Sequence, residues 1–207
     1  MKLILVRHGE TEWVRQGKYQ GFTDIPLNRR GIFQARAVAR ALKKERPIVV
    51  YSSQLVRAHE TAKLIAGICG KKVVIDKRLC EVSFGSWEGK SHKAIGKRFP
   101  KASRAWYSAR WTSQPPKGES LKSLNKRISS FLKDLKRNRS RKGTCVIVSH
   151  GGPIRMFLIS LFNMSPEIFW SIRIDPASIS ILHLKEKRHQ LALLNHQEHL
   201  RRPRGAR

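Results

Sequence analysis

The chain has 207 residues, of which 40% are hydrophobic, so it is long enough for one domain with a sizeable core, and its composition excludes global disorder. Lys and Arg number 43 and Asp and Glu 14, which gives a formal net charge of +29. A field of this sign attracts phosphates, nucleic acids and anionic surfaces. The basic runs are spread along the chain, which favours a solvated basic surface over a nucleic-acid interface.

The cysteines and the first residues bear on the compartment. Three cysteines without a Cys-x-x-Cys spacing indicate neither a disulfide framework nor a thiolate metal site. Before Arg7 only Met1 and residues 3–6 are apolar, too few for the roughly 7–15 apolar residues of a signal peptide. No stretch approaches the roughly 20 apolar residues that span a bilayer. We therefore expect a cytoplasmic protein with reduced thiols and no membrane partner.

The first part of the chain predicts alternating strands and helices. Residues 3–6, 48–53 and 71–76 have the apolar, β-branched character of strands. The segments 26–47 and 54–69 predict helices, the first capped by Asn28 and ended by Pro47. Their predicted inward faces are Ile32, Ala35, Val38 and Leu42 in the first helix, and Leu55, Ala58, Ala62 and Ile65 in the second. This alternation is typical of a parallel sheet with crossover helices.

The second part predicts a helical insertion and an antiparallel edge. Residues 91–99 and 101–111 look helical and are interrupted by Pro100, so we place an insertion at about 90–118. A long amphipathic helix begins at Ser120 and carries Leu121, Leu124, Ile128, Phe131 and Leu135 on one face. A buried strand at 144–149, a helix at 153–163 and a hairpin of 178–184 with 189–195 follow. We expect one domain over 1–199 and a mobile basic tail at 200–207.

Polar motifs stand at the ends of the predicted strands. The segments are RHGET at 7–11, SSQLVRAHETA at 52–62, LCEVSFGSWEG at 79–89 and VSHGG at 148–152. The first, second and fourth follow parallel strands, whose carboxyl ends open on one crevice. This places Arg7, His8, Arg57 and His150 together. A phosphoryl group is the anion that best fits such a set, because arginines bind its oxygens in pairs and offset the charge that develops on transfer.

The same residues supply the parts of a phosphoryl transfer. A neutral imidazole can attack phosphorus and form a phosphohistidine, and neighbouring arginines disfavour its protonated form. Glu81, in a partly apolar pocket, can hold a proton for the leaving alkoxide. Taken singly, each histidine is more often a structural residue, Arg57 a surface ion pair and Glu81 a loop acid. Their conjunction points to a catalytic site.

These motifs resemble the histidine phosphatase, or phosphoglycerate mutase-like, superfamily. The matching blocks are LVRHGETEW, GFTDIPLNRRGIFQA, SSQLVRAHETA, RLCEVSFGSWEG, PPKGES and VIVSHGGPIR, and they extend from residue 1 to about 195. The resemblance implies a three-layer α-β-α sandwich around a mostly parallel sheet, with no metal or cofactor. It implies that His8 is the phosphorylated nucleophile, that Arg7, Arg57 and His150 hold the phosphoryl group, and that Glu81 is the proton donor.

One position departs from the family pattern. The first block commonly continues as RHGETxWN, with its Asn in the phosphate pocket, whereas this chain has Val14. A neutral donor is thereby lost, and we expect Gln20, Gly21, Thr23 or a water molecule to compensate. Otherwise phosphate binding should be weaker.

Motif style and length favour a phosphatase. The resemblance is strongest to the α-ribazole phosphatase-like and broad-specificity branch, so α-ribazole 5'-phosphate is one candidate among small phosphorylated metabolites, with inorganic phosphate as product. Trp87, Trp106 and Trp111 are candidates for a substrate-binding wall, although aromatics of an insertion also form ordinary core. The alternatives are a cofactor-dependent phosphoglycerate mutase, which the short stretch between Glu81 and His150 disfavours, and a basic nucleic-acid-binding protein, which no binding motif supports.

Overall fold

A computed structural model describes residues 1–137, 143–186 and 188–201. Six strands of this part of the chain form one mixed sheet. The strands are β1 (Lys2–Arg7), β2 (Val49–Ser52), β3 (Val73–Ile75), β4 (Thr144–Ser149), β5 (Ile179–His183) and β6 (Gln190–His196), in the order β3-β2-β4-β1-β5-β6. The four strands β1 to β4 are parallel, and β5 and β6 are antiparallel. The predicted mostly parallel sheet with an antiparallel edge is confirmed.

Helices cover both faces of this sheet. They are α1 (Glu12–Arg15), α2 (Arg29–Leu42), α3 (Val56–Cys69), α4 (His92–Arg98), α5 (Pro100–Tyr107), α6 (Leu121–Arg137) and α7 (Gly151–Phe162). Asn28 caps α2 by accepting a hydrogen bond from the Gly31 N–H, as predicted. Pro100 opens α5, where its missing N–H has no cost. The predicted helices are therefore present.

The side chains of β1 alternate between two apolar cores. Leu3 and Leu5 pack with α6 and α7 on one face, and Ile4 and Val6 pack with α2 and α3 on the other. A strand buried on both faces belongs in the centre of a parallel sheet, which is why residues 3–6 form a continuous apolar run. The result is the predicted three-layer sandwich.

Two details differ from the prediction. Ile32, predicted to face inward, is 39% exposed. Gly31 faces inward instead and lies so close to Glu10 that a Cβ at position 31 would overlap the Glu10 carbonyl oxygen. Leu200, assigned to the mobile tail, packs against the second core. The rest of that tail, 202–207, and residue 187 of the hairpin turn lie outside the described residues. No helix of the described ranges is long and apolar enough to cross a membrane.

Candidate active site

The carboxyl ends of β1, β2 and β4 bring the predicted cationic groups together. The backbone N–H of His8 donates to the Ser149 carbonyl oxygen across 3.0 Å, which aligns the two strand ends. His8, Arg57 and His150 are each at most 1% exposed. The imidazole centroids of His8 and His150 are 5.0 Å apart. The predicted cluster therefore exists as a buried group of cations and imidazoles.

The environment of His8 keeps one ring nitrogen available. Its Nδ1 lies 2.7 Å from the Gly9 carbonyl oxygen, which can only accept, so Nδ1 carries the proton and Nε2 keeps its lone pair. Burial, and then the charges of Arg57 and Arg7, hold the pKa of His8 well below its usual range, outweighing the opposing Gly9 hydrogen bond. The imidazole is therefore neutral, as attack on phosphorus requires.

His150 is fixed from the opposite side of the cluster. Its Nε2 lies 2.9 Å from the Ser53 hydroxyl oxygen at the end of β2, while its buried Nδ1 has no hydrogen-bond partner among the described residues. Burial, Arg57 and His8 place the pKa of His150 well below its usual range. An unpaired buried ring nitrogen is costly unless a ligand meets it.

Two arginines complete the cluster, and both are held by backbone carbonyls. Arg57 donates from Nη1 to the Thr23 oxygen at 2.9 Å and from Nη2 to the Gly21 oxygen at 2.7 Å, and Arg7 donates from Nη1 to the Ile174 oxygen at 2.7 Å. The Nε–H of each is buried without a partner among the described residues. Burial lowers the pKa of both guanidiniums. A bound anion would satisfy both donors and offset their charge.

Glu81 faces the cluster with one oxygen committed and one free. Its Oε1 accepts from the backbone N–H groups of Val82 at 2.9 Å and Gly152 at 3.1 Å. A Cβ at position 152 would stand 2.5 Å from Oε1, so glycine is needed there. Oε2 makes no hydrogen bond within the described part of the chain and is the oxygen able to carry a proton into the cavity.

Arg127, on α6, fixes the backbone that carries Glu81. Its Nη1 donates to the carbonyl oxygens of Arg78 and Cys80, each at 2.6 Å, and its Nη2 donates to the Glu81 carbonyl at 2.9 Å. The same guanidinium binds both oxygens of Glu119 at 2.7 and 2.8 Å. This clamp is not predicted from the sequence, although Glu119 lies in the PPKGES block.

A cavity of about 220 Å³ opens beside Arg7 and Glu81. Val14 lines it, at the position where the family pattern has Asn. Gln20 also lines it, with its Oε1 engaged by the Thr11 hydroxyl, which leaves the side-chain amide N–H groups for a ligand. Gly21 and Thr23 do not line this cavity, and neither do His8, Arg57 and His150, which lie behind Arg7 and Glu81. The carbonyls of Gly21 and Thr23 hold Arg57, so a direct contact of either residue with phosphate stays a prediction.

The predicted tryptophan wall is corrected. Trp87 and Trp106 are fully buried in the core, Trp111 packs against that core, and none of the three lines the cavity. These rings belong to the same core as Leu3 and Leu5 of β1. The aromatic side chains that line the cavity are Tyr19, Phe84, His92, Phe169 and Trp170.

Two further charged residues shape the site and were missed. Arg155, the one charged residue of α7, lines the cavity; a lone charge in an apolar helix was a signal available in the sequence. Glu88 accepts hydrogen bonds from Phe22 N–H, Thr23 N–H, the Thr23 hydroxyl and Phe84 N–H. It thereby fixes the loop whose carbonyls hold Arg57, and no local pattern reveals that contact.

Comparisons with known proteins show the family of this chain. The family model of the histidine phosphatase superfamily (branch 1) matches residues 3–197. Phosphoserine phosphatase 1 of Hydrogenobacter thermophilus is 38% identical over 97% of this chain and 94% of its own length. The adenosylcobalamin/α-ribazole phosphatase of Escherichia coli is 30% identical over 94% of this chain and 96% of its own.

The fold has a solved counterpart of similar size. The crystal structure of a mutant phosphoserine phosphatase from Entamoeba histolytica, in complex with phosphoserine, superposes with a TM-score of 0.87. The two chains are 34% identical, and the match covers 96% of this chain and 98% of that one. Relatives of this chain thus act on small phosphorylated substrates. With these matches and its own buried imidazole-arginine cluster, the chain belongs to the histidine phosphatase superfamily and is a phosphatase.

Proposed function

We propose that the protein hydrolyses a small phosphomonoester without metal, through a phosphohistidine at His8. The observation that carries this proposal is a neutral, buried imidazole whose Nε2 is free, beside two arginines that each keep an unpaired Nε–H among the described residues. Such an arrangement offers a nucleophile and preorganised donors for the charge that develops on the transferring phosphoryl group.

The residues divide the reaction into two steps. The Nε2 lone pair of His8 attacks phosphorus, the bond from phosphorus to the ester oxygen breaks, and Glu81 Oε2 gives its proton to the leaving alkoxide. Water then attacks the phosphohistidine, Glu81 takes up a proton from that water, and the phosphorus–nitrogen bond breaks. Inorganic phosphate leaves and His8 is restored. Arg7 and Arg57 donate to the phosphoryl oxygens throughout, and His150 donates from Nδ1–H while its Nε2 accepts from the Ser53 hydroxyl.

The cavity favours a small substrate. Its volume of about 220 Å³ is below the roughly 300–1,000 Å³ of pockets that hold drug-sized ligands. A compact ester of the size of phosphoserine, the substrate named for several relatives, fits this limit better than α-ribazole 5'-phosphate does. We therefore rank α-ribazole 5'-phosphate second.

The test is hydrolysis of an aryl phosphate with chelator present. We expect turnover by the wild type, no turnover by His8→Ala, and an acid-labile, alkali-stable phosphoenzyme after rapid quenching. His59→Ala, which alters a histidine of α3 outside the buried cluster, is the matched control and should be fully active. Equal activity of the wild type and His8→Ala would refute the role of His8, and loss of activity with chelator would refute the metal-independent route.

A further inference from the structure

Arg155 projects into the same cavity as Arg7 and, among the described residues, is not paired with an acid. Its Nε donates to the Ile172 carbonyl oxygen at 2.7 Å, and its guanidinium carbon lies 5.5 Å and 5.3 Å from the ring centroids of Phe169 and Trp170. These contacts fix the guanidinium plane. Its two terminal nitrogens make no hydrogen bond within the described residues, so a preoriented fork of donors remains open toward the cavity.

The two acids whose charges act on Arg155 make no hydrogen bond to it within the described residues. Burial, followed by the charge of Arg7, lowers the pKa of Arg155 to about 10, while Glu81 and Asp175 act in the opposite direction from a distance. Glu81 binds the backbone N–H groups described above, and Asp175 binds the side chains of Arg173 and Asn195. The charge of Arg155 is therefore left without a hydrogen-bonded counterion in the part of the chain that the structure describes.

The cavity consequently holds more positive charge than one phosphoryl group needs. Arg7, Lys18 and Arg155 line it, against the single acid Glu81 among the described lining residues. Arg7 sits beside the reacting His8, whereas Arg155 lies one helical turn into α7 and is set in the aromatic side of the cavity. Arg155 therefore offers donors to an anion from a different wall of the cavity, beside Phe169 and Trp170.

We propose that Arg155 binds a carboxylate of the substrate, so that the enzyme selects small phosphomonoesters that carry a carboxylate a few bonds from the phosphate. This inference rests on the proposed function. The guanidinium fork matches two carboxylate oxygens, and the volume of about 220 Å³ favours that group over a second, larger phosphoryl group. Phosphorylated hydroxy acids and amino acids are the chemical class that meets both conditions.

The experiment compares substrates that differ only in the carboxylate. O-phosphoserine is paired with O-phosphoethanolamine, and 3-phosphoglycerate with 2-hydroxyethyl phosphate, so that the contribution of the carboxylate is measured beside either an ammonium or a hydroxyl group. For the wild type we expect kcat/KM to favour the carboxylated member of each pair by roughly 10- to 100-fold, the range of a charge-assisted hydrogen-bonded pair.

Variants of Arg155 separate binding from packing. Arg155→Met should abolish the preference in both pairs and change the rates of the two uncarboxylated esters less than about threefold. Arg155→Lys keeps the charge but loses the fork, and should restore part of the preference. Arg98→Gln is the matched control, because Arg98 also stands over an aromatic ring, that of Phe99, but lies outside the cavity. It should retain the full preference.

Three results would overturn the inference. The first is a wild type without preference in either pair, and the second is an Arg155→Met variant that keeps the preference. The third is an Arg155→Met variant that loses activity toward both members of each pair equally. Where turnover is too slow, calorimetry can measure the affinities of the same four esters for His8→Ala, with and without Arg155→Met, and so test the same preference for a carboxylate. His8-dependent hydrolysis of an aryl phosphate without carboxylate preference would refute this inference alone, whereas no such hydrolysis would refute the proposed function.

Discussion

Replacing Arg127 by methionine removes the clamp on the segment that carries Glu81 while keeping apolar bulk on α6. Three carbonyl oxygens, those of residues 78, 80 and 81, lose their donor, and Glu119 loses both hydrogen bonds to its partner. The Glu119 side chain is only 14% exposed, so its charge is left largely buried and unpaired.

The expected loss of stability follows from that unpaired charge. Breaking a buried ion pair by removing one partner lowers the free energy of unfolding by about 3–5 kcal/mol. We include the three lost carbonyl hydrogen bonds in this range, because the contributions of neighbouring groups do not add. At about 2–4 °C per kcal/mol for a chain of this size, Tm should fall by roughly 6–20 °C. The double variant Arg127→Met with Glu119→Gln removes the unpaired charge and should recover a large part of this loss.

The activity assay distinguishes positioning of the proton donor from general support. An alkyl phosphate needs a proton on its leaving oxygen, whereas a nitrophenyl phosphate does not. Removing a general acid lowers kcat by roughly 10²- to 10⁴-fold, and we expect Arg127→Met to approach this loss for the alkyl ester. For the nitrophenyl ester we expect kcat to fall less than tenfold. The double variant should remain defective toward the alkyl ester. Equal losses for both esters would refute the positioning role of Arg127.

Three further expectations concern the cluster. Glu81→Gln can keep the hydrogen bonds that Oε1 accepts, so its Tm should stay close to that of the wild type. Its kcat for an alkyl ester should fall about 10²- to 10⁴-fold, and an unchanged kcat would exclude Glu81 as the proton donor. His8 and His150 stay neutral when folded but take up protons when unfolded below pH about 6.5. The free energy of unfolding should therefore fall as pH drops, by up to about 2.7 kcal/mol per pH unit from these two groups. Denaturant unfolding of His8→Asn should show about half that slope. An undiminished slope would contradict the assignment of a neutral His8. Val14→Asn should lower KM for a phosphate ester; an unchanged or raised KM would mean that the pocket works without this contact.

Local pattern predicted the fold and the identity of the clustered residues well. The apolar run at 3–6 and the motifs at 7–8 and 148–150 place catalytic residue types at strand ends, and strand ends are the positions that a parallel sheet brings together. The roles assigned to His8 and Glu81 stay predictions until they are measured.

The failures came from contacts between distant segments. Trp106 was assigned to a substrate wall because an aromatic-rich insertion looks the same in sequence whether its rings face a ligand or one another. The partners of Arg57 are carbonyl groups at 21 and 23, which every residue type possesses and which therefore leave no trace in the sequence. Arg127 binds residues 46 to 49 positions away, beyond the reach of any local pattern.

The way Arg57 is held has a consequence for how freely the sequence around it can drift. Because main-chain oxygens are its partners, the side chain at position 23 can be exchanged without removing an anchor. Position 21 has no such freedom: it has φ of +56°, and a Cβ there would overlap the Glu88 carboxylate and reach the Phe84 nitrogen. In a mutational scan of these two positions, Gly21 should therefore be intolerant because of its backbone geometry, whereas Thr23 should tolerate exchange at the cost of the hydrogen bond from its hydroxyl to Glu88.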